Sequence, residues 1–238
     1  MRPIAQGERA MSVYYNEIDP FAAAWLRELM KAGQIPDGEV DTRSIADVQP
    51  DDIRGFHQCH FFAGIGGWAY ALRLAGWPDT RECWTFSCPC QKLSSATRGR
   101  AVAADLWPEQ RRLVVAGRPS VFFGEQVSSS SGWFDGLCAD VEAVGYEIGA
   151  GVLPALSVGA DHARPRIYFV GHTHRHGEPS RAIYDEVAGM LRHRCVTRDV
   201  VPSDGLSRDM VALSGFGNAI VPQVAQVFIE AYLDTVSA

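Results

Sequence analysis

One stretch restricts the fold more than any other. A short apolar segment, Gln58-Cys59-His60-Phe61-Phe62, runs into Ala63-Gly64-Ile65-Gly66-Gly67. An amphipathic segment from Trp68 to Ala75 follows, closed by Gly76 and Pro78. An apolar run of that length between turn signals reads as a buried strand, and the residues after the glycines carry a helical period. Strand, glycine-rich turn, helix is how an α/β sheet brings backbone N–H groups close to a nucleotide-like ligand. The G-x-G-x-x-G spacing of dinucleotide sites is missing, so on spacing alone a plain tight turn explains the glycines as well as a ligand cradle does.

The rest of the chain continues the alternation. Ser12 to Tyr15 reads as a short strand, ended by Asn16-Glu17-Ile18-Asp19-Pro20. Phe21 to Lys31 reads as a helix with Phe21, Trp25, Leu26 and Leu29 on one face, and Gly33 and Pro36 stop it. Thr42 to Val48 is a candidate second strand, and Gln49 to Ile53 a turn and helix start. Further strands are expected at Glu82–Thr85, Pro119–Phe123, Tyr146–Leu153 and Arg166–Val170. Helices are expected at Asp105–Ala116, Trp133–Val144, near Ile183–Leu191 and at Val224–Leu233. Strands alternating with helices imply an α/β fold with a largely parallel sheet. Ligands of such sheets bind beyond the C-terminal ends of the strands. Glu17, Gly64, Cys90 and Glu125 fall at such ends.

Bulk properties bound the answer. The 238 residues, 47% of them hydrophobic, suffice for one sizeable core and a small appended lobe. No apolar run approaches the roughly 20 residues of a membrane span, and the polar Met1–Ala10 has no signal-peptide pattern. A soluble, intracellular (cytoplasmic) protein is expected. The six cysteines are scattered through apolar stretches and read as reduced thiols. A net charge of −6 does not announce a nucleic-acid ligand, but His162 to Arg198 holds seven arginines against three acids. A solvated face would explain that; a phosphate-contacting lobe fits better beside a second basic loop, Arg98 to Arg100. His172-Thr173-His174-Arg175-His176 has no carboxylate or cysteine close in sequence and the cysteines form no CxxC pair, so no metal site is expected.

Two groups stand out chemically. Cys90 follows a proline at the end of a strand and precedes the polar, basic loop Ser94–Arg100. Basic flanking groups favour the ionised thiol, which is the nucleophile; free cysteines are also common as small buried hydrophobes. Glu125 follows the apolar strand Val121-Phe122-Phe123. A carboxylate there is costly unless partnered, which leaves chemistry and a structural ion pair both open.

Taken together these stretches resemble the DNA (cytosine-5) methyltransferase family. Phe62 to Gly67 resembles its first motif, the turn that holds S-adenosylmethionine. Pro89-Cys90-Gln91 with Ser94 resembles its nucleophile motif. Gly124-Glu125-Gln126-Val127 stands where the family has Glu-Asn-Val. Ala163-Arg164-Pro165-Arg166 resembles the tail of its Gln-x-Arg-x-Arg motif, and Gly217-Asn218-Ala219-Ile220-Val221-Pro222 its last motif. There are departures. Phe86, Ser87 and Cys88 replace a Gly- and Pro-rich lead to the cysteine, His162 replaces Gln and Gln126 replaces Asn. Asn16 to Pro20 resembles the segment that holds the cofactor's ribose and adenine, and Arg43-Ser44-Ile45 stands in place of an adenine-contacting Asp-Ile. Both precede the Gly64 turn instead of following it. The resemblance is therefore to a small, circularly permuted member of phage or prophage type.

The resemblance implies a Rossmann-like S-adenosylmethionine-dependent methyltransferase fold with a mostly parallel sheet. It implies a leader over 1–11, a catalytic and cofactor-binding domain over 12–171, a small target-recognition lobe over 172–212 and a returning C-terminal segment over 213–238. The implied catalytic residues are Cys90, Glu125, Arg164 and Arg166. The implied cofactor residues are Glu17, Ile18, Ser44, Ile45, Phe62, Gly64, Gly66, Gly67, Pro89 and Asn218. DNA contacts would come from Gln91, Ser94, Arg98, Arg100, Arg175, Arg181, Arg192 and Arg194. The partner implied is double-stranded DNA, bound by a monomer with no membrane association; the same chemistry on RNA and a catalytically inactive DNA-binding homologue are the alternatives. A right-handed crossover from Cys59–Phe62 to Glu82–Thr85 would put helix Trp68–Ala75 on the face opposite its family position, and the sequence leaves that face open.

Overall fold

The structure, a computed structural model, describes residues 13–89, 105–173 and 219–237. Seven strands form one sheet in the order β2-β1-β3-β4-β5-β7-β6. They are β1 (Val13–Asn16), β2 (Gly38–Asp41), β3 (Gln58–Phe61), β4 (Cys83–Phe86), β5 (Val121–Val127), β6 (Tyr146–Leu153) and β7 (Arg166–Thr173). Pairing is parallel from β2 through β5, and β7 runs antiparallel to both β5 and β6. The expected α/β class and mostly parallel sheet are what the fold shows.

Side chains alternate across the sheet, so each strand feeds two cores. Val13, Tyr15, Cys83, Phe123, Tyr168 and Val170 lie on the face covered by α1 (Pro20–Lys31), α2 (Gly67–Leu74) and the C-terminal helix α5 (Pro222–Ser237). Tyr14, Cys59, Phe61, Trp84, Phe86, Phe122 and Phe169 face α3 (Trp107–Gly117) and α4 (Ser131–Glu142). Asp19 caps α1, its side chain accepting from the Ala22 N–H, and Pro20 occupies the first turn where no N–H is needed. Of the apolar stripe expected on α1, Leu26 is buried while Phe21 and Trp25 are 53% and 39% exposed. The stripe is wider than the face the sheet covers.

Two segments depart from the sequence reading. The second strand is Gly38–Asp41, not 42–48, and Gln49 to Ile53 forms turns without a helix. The carbonyls of Ile45, Ala46 and Val48 find their donor in one guanidinium, Arg112 Nη2 at 3.1, 3.3 and 2.8 Å, so this backbone needs no ladder. Ile45, Val48 and Ile53 instead pack beneath α3. Strand β5 also runs further than expected, through Glu125 to Val127, because β7 pairs with its whole length from Val121↔His172 to Val127↔Arg166. Where Gly124 faces Phe169 and Gly171 faces Phe122 across that pair, the aromatic ring lies over the glycine and occupies the space of a Cβ.

β1 and β2 precede β3 in the chain yet lie beside it at the sheet's edge, while β3 to β7 follow in sequence. The connections then differ in hand. β1–α1–β2 steps outward over one face; β4–α3–β5 steps the opposite way over the other face, which is the same hand. β3–α2–β4 steps toward β5 with α2 on the face of α1, which is the opposite hand. With the usual right-handed connection as the common one, the α2 crossover is left-handed. Helix α2 therefore shares the face of α1, and the handedness rule is the one that gives way. Trp68, Ala71 and Leu72 bury against α5 and Phe123, and Ala69 against Leu26 and Ile35. That burial is available only on this face.

Candidate functional site

The C-terminal ends of β1, β3, β4 and β5 converge on one edge of the sheet, where the helix that follows β3 and the helix that follows β4 leave onto opposite faces. That reversal opens a crevice above the sheet. With strands about 4.8 Å apart, the turn after β3 and residue 125 of β5 lie about 10 Å apart across it.

The first corner is built by β1 and β3. Asn16 pairs with Phe61, so the residue after β1 reaches the turn after β3. Glu17 Oε2 accepts the Gly64 N–H at 2.7 Å, and Oε1 accepts the Asp19 N–H at 2.8 Å. Phe62, Gly64 and Gly66 have φ of 52°, 55° and 84°, the left-handed backbone that glycine adopts without strain. The glycines face different surroundings. A Cβ on Gly64 would meet open space, one on Gly66 would face Leu26 and Leu29 at 3.2 Å, and one on Gly67 would meet Ile220 at 2.7 Å. Gly64 is thus the open one, whereas Gly66 and Gly67 let α1 and the C-terminal segment approach. Ile18 stands 64% exposed beside this corner. Ile45 is buried in the core and Ser44 Oγ accepts the Ala46 N–H at 3.3 Å, so neither side chain joins Ile18. Asp41 and Arg43 are tied to each other, to Tyr14 and to Asp52.

The second corner centres on Glu125, 8% exposed. Its Oε1 lies 2.9 Å from Arg166 Nε. Ser87, just past β4, stands beside Glu125, one residue beyond the Phe86↔Gly124 pair. Burial pushes the Glu125 pKa up, and Arg166, Arg164 and Ser87 pull it back without cancelling the rise. Arg164 is driven below the usual guanidinium range by burial and by Arg166. It sits at φ 36° and donates to the Ala219 carbonyl at 2.9 Å. The segment starting at Ala219 thereby joins the two corners, since Ile220 packs on Gly67 and Ala219 receives Arg164.

Gln126 points the other way. Its Nε2 donates to the Cys88 carbonyl at 3.2 Å, fastening the end of β5 to the chain just before Pro89. Burial pushes the thiol of Cys88 well up, as it does those of Cys59 and Cys83, and that of Cys138 rises to about 11. These four thiols stay protonated at neutral pH. Pro89 is exposed at the crevice edge. Cys90, Gln91, Ser94, Arg98, Arg100, Arg175, Arg181, Arg192, Arg194 and Asn218 lie outside the described residues, as do the helix expected near 183–191 and most of the recognition lobe. Among the described residues no group of three or more His, Cys, Asp or Glu could hold a metal, and no helix is long and apolar enough to cross a membrane.

Sequence reasoning passed over Trp68 and Ser87 as site residues. Trp68 Nε1 donates to Ser87 Oγ at 3.1 Å. The two lie 19 residues apart on different elements, so no local period joins them. The one available signal was Ser87 itself, a hydroxyl in the lead to Pro89-Cys90.

The family model for C-5 cytosine-specific DNA methylases matches residues 78–188. No curated protein matches the chain significantly. Among solved structures, the chain is similar to a Spodoptera frugiperda DNMT2 mutant at 12% identity and TM-score 0.48, covering 71% of this chain and 44% of that one. It is similar to the S. pombe Dnmt2 methyltransferase at 12% identity and TM-score 0.46, covering 79% and 57%. A DNA modification methyltransferase encoded within an E. coli prophage matches at 17% identity and TM-score 0.40, covering 68% and 46%. The aligned regions span about half the length of these structures.

Proposed function

We infer, from the match of residues 78–188 to the family model of C-5 cytosine-specific DNA methylases, that this protein methylates C5 of cytosine in double-stranded DNA. The observation that carries the reading is the buried Glu125, held by Arg166 and Ser87 beside the strand end that leads to Pro89-Cys90.

C5 of cytosine is a poor nucleophile until something adds at C6. The Cys90 thiolate forms that bond, and density moves toward C5 and N3. Cys88 is a poor candidate for this role, because its thiol is buried and pushed up. Glu125, made easier to protonate by burial, holds the N3 edge and the exocyclic amine as charge builds on the ring. Arg166 keeps the carboxyl aimed, and Arg164 supports the base from the loop before β7. Loss of the C5 proton to a base such as water lets the C6–S bond break and frees Cys90. The target base has to leave the helix at a cost of a few kcal/mol, which phosphate contacts from the basic segments offset.

The first corner fits S-adenosylmethionine. Gly64 borders open space, the Glu17 carboxylate stands at the rim, and Ile18 offers an exposed apolar surface for the adenine. When bound, that cofactor supplies the methyl group that C5 receives. Phe62, Gly64 and Pro89 would line it, with Glu17 accepting the ribose hydroxyls and Asn218 near the methionine end.

The test is transfer of tritium from methyl-labelled cofactor to DNA and to RNA, with Cys90→Ser as control. Transfer to DNA that Cys90→Ser abolishes supports the reading. Transfer to RNA alone, or to neither polymer by pure protein that binds the cofactor, overturns it. With about 45 residues between Gly171 and Gly217, a target of two to four base pairs containing a guanine is expected from sequencing a methylated random library.

A further inference from the structure

We propose that Ser87, fixed by Trp68, is a positioning residue that sets the proton occupancy of Glu125. The proposal rests on the functional reading above only for its consequence in catalysis.

An indole nitrogen donates and never accepts. Trp68 Nε1 therefore occupies an acceptor site of Ser87 Oγ at 3.1 Å and leaves the hydroxyl proton to be aimed elsewhere. Phe86 and Gly124 are paired across β4 and β5, so the residues that follow them, Ser87 and Glu125, stand side by side on one face of the sheet, where Ser87 favours the charged carboxylate; an ionised carboxylate can only accept. The chain Trp68→Ser87→Glu125 has a single direction in the ionised state, and each bond polarises the next. Arg166 Nε, at 2.9 Å, also addresses Glu125 as a donor. Among the described residues, the groups facing the carboxyl are Arg166 and Tyr168 from β7, Arg164 from the loop before it and Ser87 from the end of β4; α2 contributes the uncharged Trp68. Burial favours the neutral acid, and Ser87 holds it back. A carboxyl that must present a proton to cytosine N3 and later recover it works best when neither form is locked. Ser87 is a neutral partner whose proton can turn toward or away from the carboxyl, unlike the two arginines, which are permanently charged.

The experiment is a pH titration of the Glu125 carboxyl carbon by NMR in the full-length protein labelled with carbon-13 at glutamate. The signal is assigned by its loss in Glu125→Gln. Losing one hydrogen bond to the charged form raises the midpoint in Ser87→Ala by about one pH unit, roughly tenfold in the ionisation constant. Ser87→Thr, which keeps the hydroxyl, restores the wild-type midpoint. Trp68→Phe, which frees Ser87 to rotate, raises the midpoint by less. An unchanged or lowered midpoint in Ser87→Ala overturns the proposal; if that variant does not fold, an unchanged midpoint in Trp68→Phe does so. The readout needs no turnover. A raised midpoint in a protein that methylates nothing would uphold the role of Ser87 and sink the functional reading. Where DNA is methylated, the alkaline limb of the kcat profile moves up with the midpoint.

Discussion

His60 makes the stability of this protein fall in mild acid. Its ring is 1% exposed between the sheet and α1, stacked on Tyr15 with centroids 5.0 Å apart. Nδ1 lies 2.8 Å from Thr85 Oγ1, and among the described residues Nε2 has no hydrogen-bond partner. A second proton on this ring would be a buried charge that no carboxylate among the described residues meets, and burial holds the pKa down to about 3 from an ordinary 6.5. The folded state therefore keeps His60 neutral where the unfolded chain binds a proton. Stability attached to this residue is complete above 6.5 and declines as the pH falls toward 3. At about 1.4 kcal/mol per unit once the unfolded ring is protonated, lowering the pH from 6.5 to 4.5 costs about 2.3 kcal/mol through His60 alone. Urea unfolding of wild type and His60→Gln at about pH 7 and about pH 4.5 isolates the effect, because carboxylates shared by the two proteins cancel in the difference. Wild type should lose about 2–3 kcal/mol more than the variant over this range. Equal losses, or a folded-state His60 signal that titrates near pH 6, would refute the reasoning.

The other predictions concern close packing and the site. Gly124→Ala puts a methyl group where the Phe169 ring lies, and should cost about 2–3 kcal/mol by urea unfolding, the upper range of overpacking. Glu17→Ala removes the acceptor of the Gly64 N–H; calorimetric titration with S-adenosylmethionine should show affinity at least tenfold weaker, with the melting temperature moved by only a few degrees. Cys90→Ser should abolish methyl transfer while retaining cofactor binding, and Cys88→Ala should keep most activity; swapped phenotypes would move the nucleophile to Cys88.

The alternation of apolar segments and glycine stops was enough to place most of the strands and helices within a few residues, because burial on both sheet faces demands unbroken apolar runs such as Val121-Phe122-Phe123 and Tyr168-Phe169-Val170. Local sequence also marked Glu17, Gly64 and Glu125, since charges and glycines beside such runs are costly unless used. What it misjudged was tertiary. Residues 42–48 carry strand-like side chains, but their carbonyls are satisfied by Arg112, more than sixty residues away, so they form no strand. The face of α2 was undecidable locally, because the crossover rule and burial against α5 oppose each other, and burial is known only once residues 222–237 are in place. The same holds within the site. Glu125 meets Ser87 and Arg166 only because β4, β5 and β7 lie side by side, and Gln126 reaches Cys88 only because that order aligns their ends. A residue's type and neighbours in sequence set which groups require a partner; the order of strands in the sheet decides which partner each one finds.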